Sequence, residues 1–132
     1  MSDDPPAAIL LGREILAIDA DAQEIRLGYV ARTEFANRHG TVQGGFLAAM
    51  LDSAAGLAVV SLLPEGTTAV TTRLDVAFLK PASLGQILAT ARIVARDDRS
   101  AAVHAELTDR DGLVLATAEA SLRILGARPA RP

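Results

Sequence analysis

Two adjacent glycines and a carboxylate two helical turns later are the residues of this sequence best suited to chemistry. Gly44 and Gly45 stand at the start of a predicted helix, and Asp52 follows seven or eight residues further on. The first N–H groups of a helix lack partners within it and carry partial positive charge, and glycine has no Cβ to keep a carbonyl oxygen away. A substrate carbonyl polarised at the helix start and an acidic group on roughly the same helix face would therefore lie in one cleft.

The same residue types also have ordinary structural explanations. A glycine pair at a helix start is more often a packing or turn feature. A carboxylate in an apolar run, such as Asp52, is often paired with an arginine or caps a neighbouring element. Asn37 suits a turn, and Thr71 and Thr72 suit a strand, without any catalytic role. Spacing alone therefore does not assign catalysis to these residues.

A long apolar segment must position the glycines and the carboxylate. From residue 43 or 44 to about residue 61, Ala and Leu dominate and no proline occurs before Pro64. This pattern favours a helix of about 18 residues, or about 27 Å. The segment is apolar almost all round, so we expect the rest of the protein to enclose it. It is also long enough to raise the question of a membrane span, but the charge of Asp52 opposes insertion and favours a buried helix in a soluble protein.

Strand patterns flank this helix on both sides. Residues 13–30 predict two short strands around a turn at 19–21. Four further strands with alternating apolar residues are predicted within 67–82, 85–98, 99–112 and 113–125. Two strands, one helix and four strands indicate an α+β architecture, an antiparallel sheet of five to six strands wrapped around one long central helix.

Length and composition indicate one globular domain. The 132 residues predict a single domain, 1–132, with flexible tails at 1–7 and 126–132, and half of them are apolar. The net charge of −3 argues against a nucleic-acid partner, and the absence of cysteine excludes a disulfide framework or a cysteine nucleophile. The N-terminus does not have the pattern of a secretory signal, so we expect a cytoplasmic protein that does not associate with membranes.

Two segments of the sequence resemble the hotdog-fold thioesterases of the phenylacetate-pathway (PaaI-like) type. They are the segment from Asn37 to Asp52, NRHGTVQGGFLAAMLD, and the later strand ending FLKPA. The resemblance covers about residues 12–125. It implies a hotdog fold and an acyl-CoA site between the protomers of a homodimer, which often pairs into a homotetramer. By its motif, Gly44 matches the glycine whose amide polarises the thioester carbonyl in that family, and Gly45 is expected to support that close approach. Asn37 matches the loop asparagine, and Asp52 matches the carboxylate that acts as general base or nucleophile.

The resemblance implies further site residues and also shows one departure. It implies a strand hydroxyl from the opposing protomer, for which Thr71 is the candidate and Thr72 the neighbour, because adjacent strand residues face opposite sides. Gln43 stands where the family usually has histidine; it can hydrogen-bond but cannot take up a proton near neutral pH. His39 is expected at the mouth of the cleft, and Arg73 is a candidate for the coenzyme A phosphates. Other basic candidates for those phosphates are Lys80, Arg92, Arg96 and Arg99.

The predicted function is hydrolysis of an acyl-CoA thioester to the free acid and coenzyme A. Coenzyme A is then part of the substrate, and neither a metal nor another cofactor is expected. Two alternatives stay open on the sequence alone. A hotdog hydratase or dehydratase acting on acyl thioesters typically needs a histidine with an acidic partner, which Gln43 disfavours. A non-catalytic acyl-CoA-binding protein is the other alternative, and Gln43 is its only support in the sequence.

Overall fold

The computed structural model describes residues 4–126 of the chain. In chain order its elements are α1 (Pro6–Leu10), β1 (Glu14–Asp19), β2 (Glu24–Ala31), a 3₁₀ turn (Thr33–Phe35), α2 (Gly44–Leu62), β3 (Thr68–Phe78), β4 (Gly85–Arg96), β5 (Ser100–Thr108) and β6 (Val114–Leu125). The predicted order of two strands, one long helix and four strands is confirmed, whereas α1 is an additional element. Of the tails expected at 1–7 and 126–132, residues 1–3 and 127–132 lie outside the described residues, while Pro6 and Ala7 begin α1.

The ends of the central helix follow from the residues that flank it. Gln43 precedes α2 with an extended backbone (φ −58°, ψ 133°), and its carbonyl accepts hydrogen bonds from the N–H groups of Phe46 and Leu47. At the other end, Leu63 returns to an extended conformation (φ −109°, ψ 166°) directly before Pro64. Proline disfavours a helical conformation in the preceding residue, so α2 ends there.

The six strands form one antiparallel sheet with the order β1-β2-β4-β5-β6-β3. Strands β1 and β3 are therefore the two edges. Helix α2, which joins β2 to β3 in the chain, contacts the sheet along β2, β3, β4, β5 and β6. A six-stranded antiparallel sheet with one long helix against it is the hotdog fold, so the predicted fold is confirmed.

The core lies between α2 and the inner face of the sheet. Alternate residues of β4, such as Ile87 and Ile93, point towards the helix and are buried. On α2, Met50, Leu51 and other residues of one side are completely buried. Because the chain has few aromatic residues, aliphatic side chains and alanine fill most of this space. No polar or charged residue of the described range 4–126 is among the buried ones.

One side of α2 is open in the single chain, which corrects the expectation of an enclosed helix. Gly45, Ala49, Asp52 and Val60 are exposed and follow one another at helical spacing. The apolar composition does not reveal this side because alanine and glycine tolerate exposure as well as burial. By length and composition (19 residues, mean hydropathy 1.7) α2 could also cross a membrane, but it packs on the sheet as the core helix of a soluble fold.

Candidate active site

Asp52 and Thr71 form a hydrogen-bonded pair on the open side of α2. The hydroxyl Oγ1 of Thr71 donates to Oδ1 of Asp52 over 2.7 Å, and both residues are exposed. The family resemblance implies this hydroxyl from an opposing protomer, but in the structure it comes from β3 of the same chain. The carboxylate is thus held in place while it still faces solvent.

A bulge in β3 explains why Thr71 faces the helix and Thr72 does not. The pairing of β3 with β6 shifts register between Thr71 and Arg73, so Thr72 is the extra residue. The Thr72 hydroxyl donates to the carbonyl oxygen of Ser121 on β6 over 3.1 Å. Thr71 and, beyond the bulge, Leu74 lie on the face towards the helix because the extra residue resets the alternation.

A second group of polar side chains lies next to this pair. Arg13 follows α1, and its side chain is only 8% exposed. It donates from Nη1 to Oγ of Ser53, the residue after Asp52, over 3.1 Å. Its Nη2 forms an ion pair with Asp4 at 3.1 Å. Burial raises the pKa of Tyr29 to about 12, against the smaller opposing effects of the nearby Ser53 hydroxyl and the Arg13 cation. The Nε of Arg13 and the hydroxyl of Tyr29 are buried without a hydrogen-bond partner in the described structure.

These residues border a mainly apolar cavity between α1, α2 and β3. Its volume is about 410 Å³, within the range of small-molecule sites. Asp52, Ser53, Thr71 and Arg13 supply the polar part of the wall. The rest of the wall is Pro5, Ala7, Ala8, Leu11, Ala49, Gly56, Leu57, Val60 and Ala69. Arg13 and α1 are not predictable as parts of the site from the sequence, because neither has a motif or a regular spacing relative to Asp52.

The loop before α2 is organised by Asn37. Its Oδ1 accepts hydrogen bonds from the N–H groups of His39 (2.9 Å) and Thr41 (3.2 Å), and its Nδ2 donates to the Thr41 hydroxyl (2.9 Å). Asparagine suits such a turn because its side chain bonds to the backbone two residues on. Asn37 therefore shapes the loop that leads to the glycines, while the His39 side chain is exposed.

The amides of Gly44 and Gly45 are free donors at the start of α2. Neither donates a hydrogen bond to another residue within 4–126, and the Gln43 side chain, which is exposed, does not cap the helix. A Cβ on Gly44 would come within 3.3 Å of the Phe78 ring, whereas a Cβ on Gly45 would meet nothing within 4 Å. The helix start can thus donate to a carbonyl or another acceptor.

Gly44 and Asp52 face different cavities in the single chain, contrary to the expectation that they address one cleft. Gly44 borders a cavity of about 370 Å³ together with Asn37, His39, Phe78 and Lys80. Asp52 is not among the residues of this cavity, and Gly44 is not among those of the cavity beside Asp52. Eight residues of helix correspond to about 12 Å, too far for one carbonyl group to contact both.

Other predicted or charged residues lie away from both cavities. Arg73 is exposed and pairs through Nε with Oδ2 of Asp75 on the same strand, at 2.9 Å. His104, which the sequence analysis assigns no role, lies between Glu119 and Glu106 on the face of the sheet turned away from α2. The described residues contain no group of three or more His, Cys, Asp or Glu side chains placed to hold a metal ion.

Comparison with known proteins identifies the family of the chain. The family model described as the Thioesterase superfamily matches residues 39–116, more than half of the chain. A crystal structure from Ralstonia eutropha JMP134, named a provisional thioesterase and a phenylacetic acid degradation-related protein, is 37% identical. It superposes with a TM-score of 0.88 over 92% of both chains.

Two further relatives extend the comparison. A protein of Halobacterium salinarum that is provisionally named an esterase is 38% identical over 81 residues, 58% of this chain; the match spans about half (53%) of that protein's length. A structure from Streptococcus mutans bound to acetyl-CoA shares the fold at 21% identity, with a TM-score of 0.78 over 89% of this chain and 91% of that one. The chain therefore belongs to the thioesterase superfamily, and its resemblance to PaaI-related hotdog thioesterases is confirmed.

Proposed function

We propose that the protein hydrolyses acyl-CoA thioesters to the free acid and coenzyme A. The observation that carries this proposal is the exposed Asp52 carboxylate, held by Thr71 at the edge of an apolar cavity in a member of the thioesterase superfamily. The fold accommodates an acyl-CoA in the relative from S. mutans, whose structure contains acetyl-CoA. The R. eutropha relative, named for phenylacetic acid degradation, makes aryl acyl groups candidates besides aliphatic ones.

In the proposed reaction the thioester carbonyl accepts a hydrogen bond from the free amide of Gly44. This stabilises the negative charge that develops on the carbonyl oxygen. Asp52 either removes a proton from the attacking water or attacks the carbonyl carbon itself, giving an anhydride that water then opens. In both routes the C–S bond breaks, the oxygen of water enters the acid, and the thiolate of coenzyme A leaves and takes up a proton. Thr71 positions Asp52 through its hydrogen bond.

The separation of Gly44 from Asp52 implies that a second copy of the chain completes the site. If two α2 helices run antiparallel across a two-fold axis, Gly44 of the partner subunit lies near Asp52, and the converse holds at the second site. Each site would then combine the cavity beside Asp52 from one chain with the cavity beside Gly44 from the other.

The long edge strand β3 supports this assembly. β3 is an edge of the sheet, has 11 residues, and exposes Val70 and Phe78. An exposed apolar edge strand is prone to pair with another chain, and antiparallel pairing of two β3 strands generates a two-fold axis next to α2. We therefore assign the protein as a homodimer, or as a homotetramer formed by two such dimers.

The residues around the Gly44 cavity receive positioning or binding roles in this proposal, whereas Thr72 and Arg73 receive none. Asn37 holds the loop that presents the Gly44 amide, and Gly45 keeps the helix start free of side chains. His39 and Lys80 border the Gly44 cavity, where they suit the coenzyme A portion. Carbonyl polarisation, proton removal and water suffice for hydrolysis, so the proposal includes no cofactor or metal. We also propose that the protein acts in the cytoplasm, as the sequence predicts.

A non-catalytic acyl-CoA-binding protein is the second candidate. It is favoured by one observation: Gln43, where related enzymes usually have histidine, is exposed and its side chain does not cap α2. A hydratase is less favoured because it would need a proton-transferring histidine at this position. Hydration of an enoyl-CoA without hydrolysis of the same panel would support the hydratase.

The test measures thiol release from short, medium, long and aryl acyl-CoAs with wild type, Asp52→Ala and Asp21→Ala. Removing the base or nucleophile should lower kcat/KM by about 10²- to 10⁴-fold. Asp21, an exposed carboxylate in the turn between β1 and β2, borders neither cavity and lies at the opposite edge of the sheet from β3; it is the control and should retain wild-type activity. Full activity of Asp52→Ala would refute the mechanism. Tight binding without turnover by the wild type would instead support the non-catalytic candidate.

A further inference from the structure

The cavity between α1, α2 and β3 lies directly beside the proposed reacting group. We propose that this cavity receives the acyl part of the thioester, that Gly56 sets its depth, and that its preferred occupant is an apolar acyl group of medium size. This proposal rests on the function proposed above and adds the class of acyl group to it. A medium-chain alkyl group and a phenyl-bearing group have the same apolar chemistry, and the experiment distinguishes them.

The cavity has a polar end and an apolar end. Asp52 and Ser53 border one end, and Gly56, Leu57 and Val60 follow them at successive turns of α2. The eight residues from Asp52 to Val60 rise by about 12 Å along the helix, which suits an extended acyl chain of medium length. A carbonyl at Asp52 would therefore direct its acyl chain along α2 towards Val60, over surface that favours apolar groups.

Small side chains keep the cavity open. Ala7 and Ala8 of α1, Ala49 of α2 and Ala69 of β3 all contribute to its wall. The charged residues of the wall are Arg13 and Asp52. Nη1 and Nη2 of Arg13 are engaged by Ser53 and Asp4, and its Nε, although without a partner in the described structure, is buried. The wall therefore presents little that would compensate a charged acyl terminus.

Gly56 is the feature that the fold itself does not explain. Glycine within a helix costs about 1 kcal/mol relative to alanine. Gly56 lies within α2 without a left-handed backbone, and a Cβ there would meet nothing within 4 Å. Neither backbone conformation nor packing within the chain requires glycine here. Its missing side chain leaves space in the wall of the cavity, which an acyl group would use.

The experiment compares wild type, Gly56→Ala and Gly56→Leu with acetyl-, octanoyl- and phenylacetyl-CoA. Leucine at residue 56 should occupy the cavity and lower kcat/KM for octanoyl-CoA by about tenfold or more, whereas acetyl-CoA is hydrolysed at the wild-type rate. Alanine should give a smaller loss. If the cavity prefers an aryl group, the wild type should hydrolyse phenylacetyl-CoA with a higher kcat/KM than octanoyl-CoA, and Gly56→Leu should lower that value as well. Val60→Ala, at the far end, should raise the activity on acyl chains longer than octanoyl.

Equal losses on acetyl- and octanoyl-CoA, or no loss on either, would overturn the proposal. A change in oligomeric state of Gly56→Leu by light scattering would also overturn it, because Gly56 would then be a subunit contact. Calorimetry of Asp52→Asn with a non-hydrolysable octyl-CoA thioether separates this proposal from the function. If Asp52→Asn binds the thioether and the double variant with Gly56→Leu does not, the acyl pocket is supported even if the wild type has no turnover. Unchanged binding would reject it.

Discussion

At the residue scale, the Asp52 carboxylate combines exposure with a fixed position. It lies on the open side of α2, where water and a substrate can reach it, and Thr71 donates to one of its oxygens. The other oxygen accepts no hydrogen bond from the described residues. A carboxylate with one oxygen held and the other accessible is suited to act on water or on a carbonyl carbon.

Removal of the Thr71 hydroxyl should affect catalysis through the orientation of Asp52. Thr71→Val keeps the shape and β-propensity of the side chain but cannot donate to the carboxylate. We expect kcat to fall by about 10- to 100-fold with little change in KM, since misplacement of a reacting group reduces the rate by such factors. Steady-state kinetics with the best acyl-CoA measure the effect.

Thr117→Val is the matched control for this prediction. Thr117 lies in β6 on the outer face of the sheet, away from α2, so its loss should leave the kinetics unchanged. If Thr71→Ser, which retains the hydroxyl, does not restore activity, the role of Thr71 is packing against the helix and not positioning of Asp52.

At the scale of elements, regular patterns are predictable from the sequence and local irregularities are not. Alternating apolar residues predict β3 to β6, and the run of Ala and Leu predicts α2, because these patterns follow directly from strand and helix periods. The bulge at Thr72 depends on the register with β6 and has no signal in β3 itself. α1 has only five residues and is stabilised by tertiary contacts, such as those of Ala8 and Leu11 with the core. The motif from Asn37 to Asp52 predicts the residue types of the site, but the separation of its two cavities depends on the rise of α2.

The outer face of the sheet contains a pH-dependent contact. His104 of β5 contacts Glu119 of β6 through Nδ1 (2.5 Å) and Glu106 through Nε2 (3.3 Å). Partial burial alone would lower the pKa of His104, but the two carboxylates outweigh it and the pKa is raised. Arg92 opposes His104 across β4 and β5 and is the cation that faces it. The contact therefore stabilises the fold while His104 is protonated.

We predict that His104→Gln destabilises the protein more in acid than in base. A raised pKa in the folded state gives a contribution that is complete below the unfolded pKa, about 6.5, and is lost as the pH rises through the folded value. The free energy of unfolding should fall by up to about 1 kcal/mol at pH 5.5 and by much less at pH 9. Urea denaturation at both pH values measures it.

The same measurement with Glu119→Gln is the control for this pair. It removes the nearer carboxylate and should reproduce most but not all of the loss at pH 5.5, because Glu106 still faces His104. An equal loss for His104→Gln at both pH values would mean that packing and not charge accounts for the effect. Activity on acyl-CoA should be unaffected at pH 8, because His104 lies on the face of the sheet away from α2.

At the scale of the whole molecule, the proposed dimer would explain both the position of the site and the unpaired edge of the sheet. Gly44 and Asp52 face separate cavities, and the long edge strand β3 runs beside the Asp52 cavity, to which it contributes Thr71 and Ala69. Pairing of two β3 strands would cover the edge and bring the open sides of two α2 helices together. Assembly and completion of the site would then be a single event.

A subunit-mixing experiment tests this arrangement. Gly44→Pro removes the N–H of the first helical residue; proline suits that position, and Gln43 before it already has the extended conformation that proline requires. Because any Cβ at residue 44 would lie about 3.3 Å from the Phe78 ring, Gly44→Ala, which adds the Cβ but keeps the N–H, is the control and should remain active. Gly44→Pro and Asp52→Asn homodimers should each be nearly inactive. After the two are unfolded and refolded together in equal amounts, half of the dimers contain one chain of each kind. One of the two sites in such a dimer combines an intact Gly44 with an intact Asp52, so activity should return to about a quarter of the wild-type value.

If Gly44 and Asp52 instead act within one chain, every site in the mixture contains a defect and no activity returns. Light scattering that shows a dimer, together with no recovery, would then assign the site to the single chain and leave β3 pairing without a catalytic role.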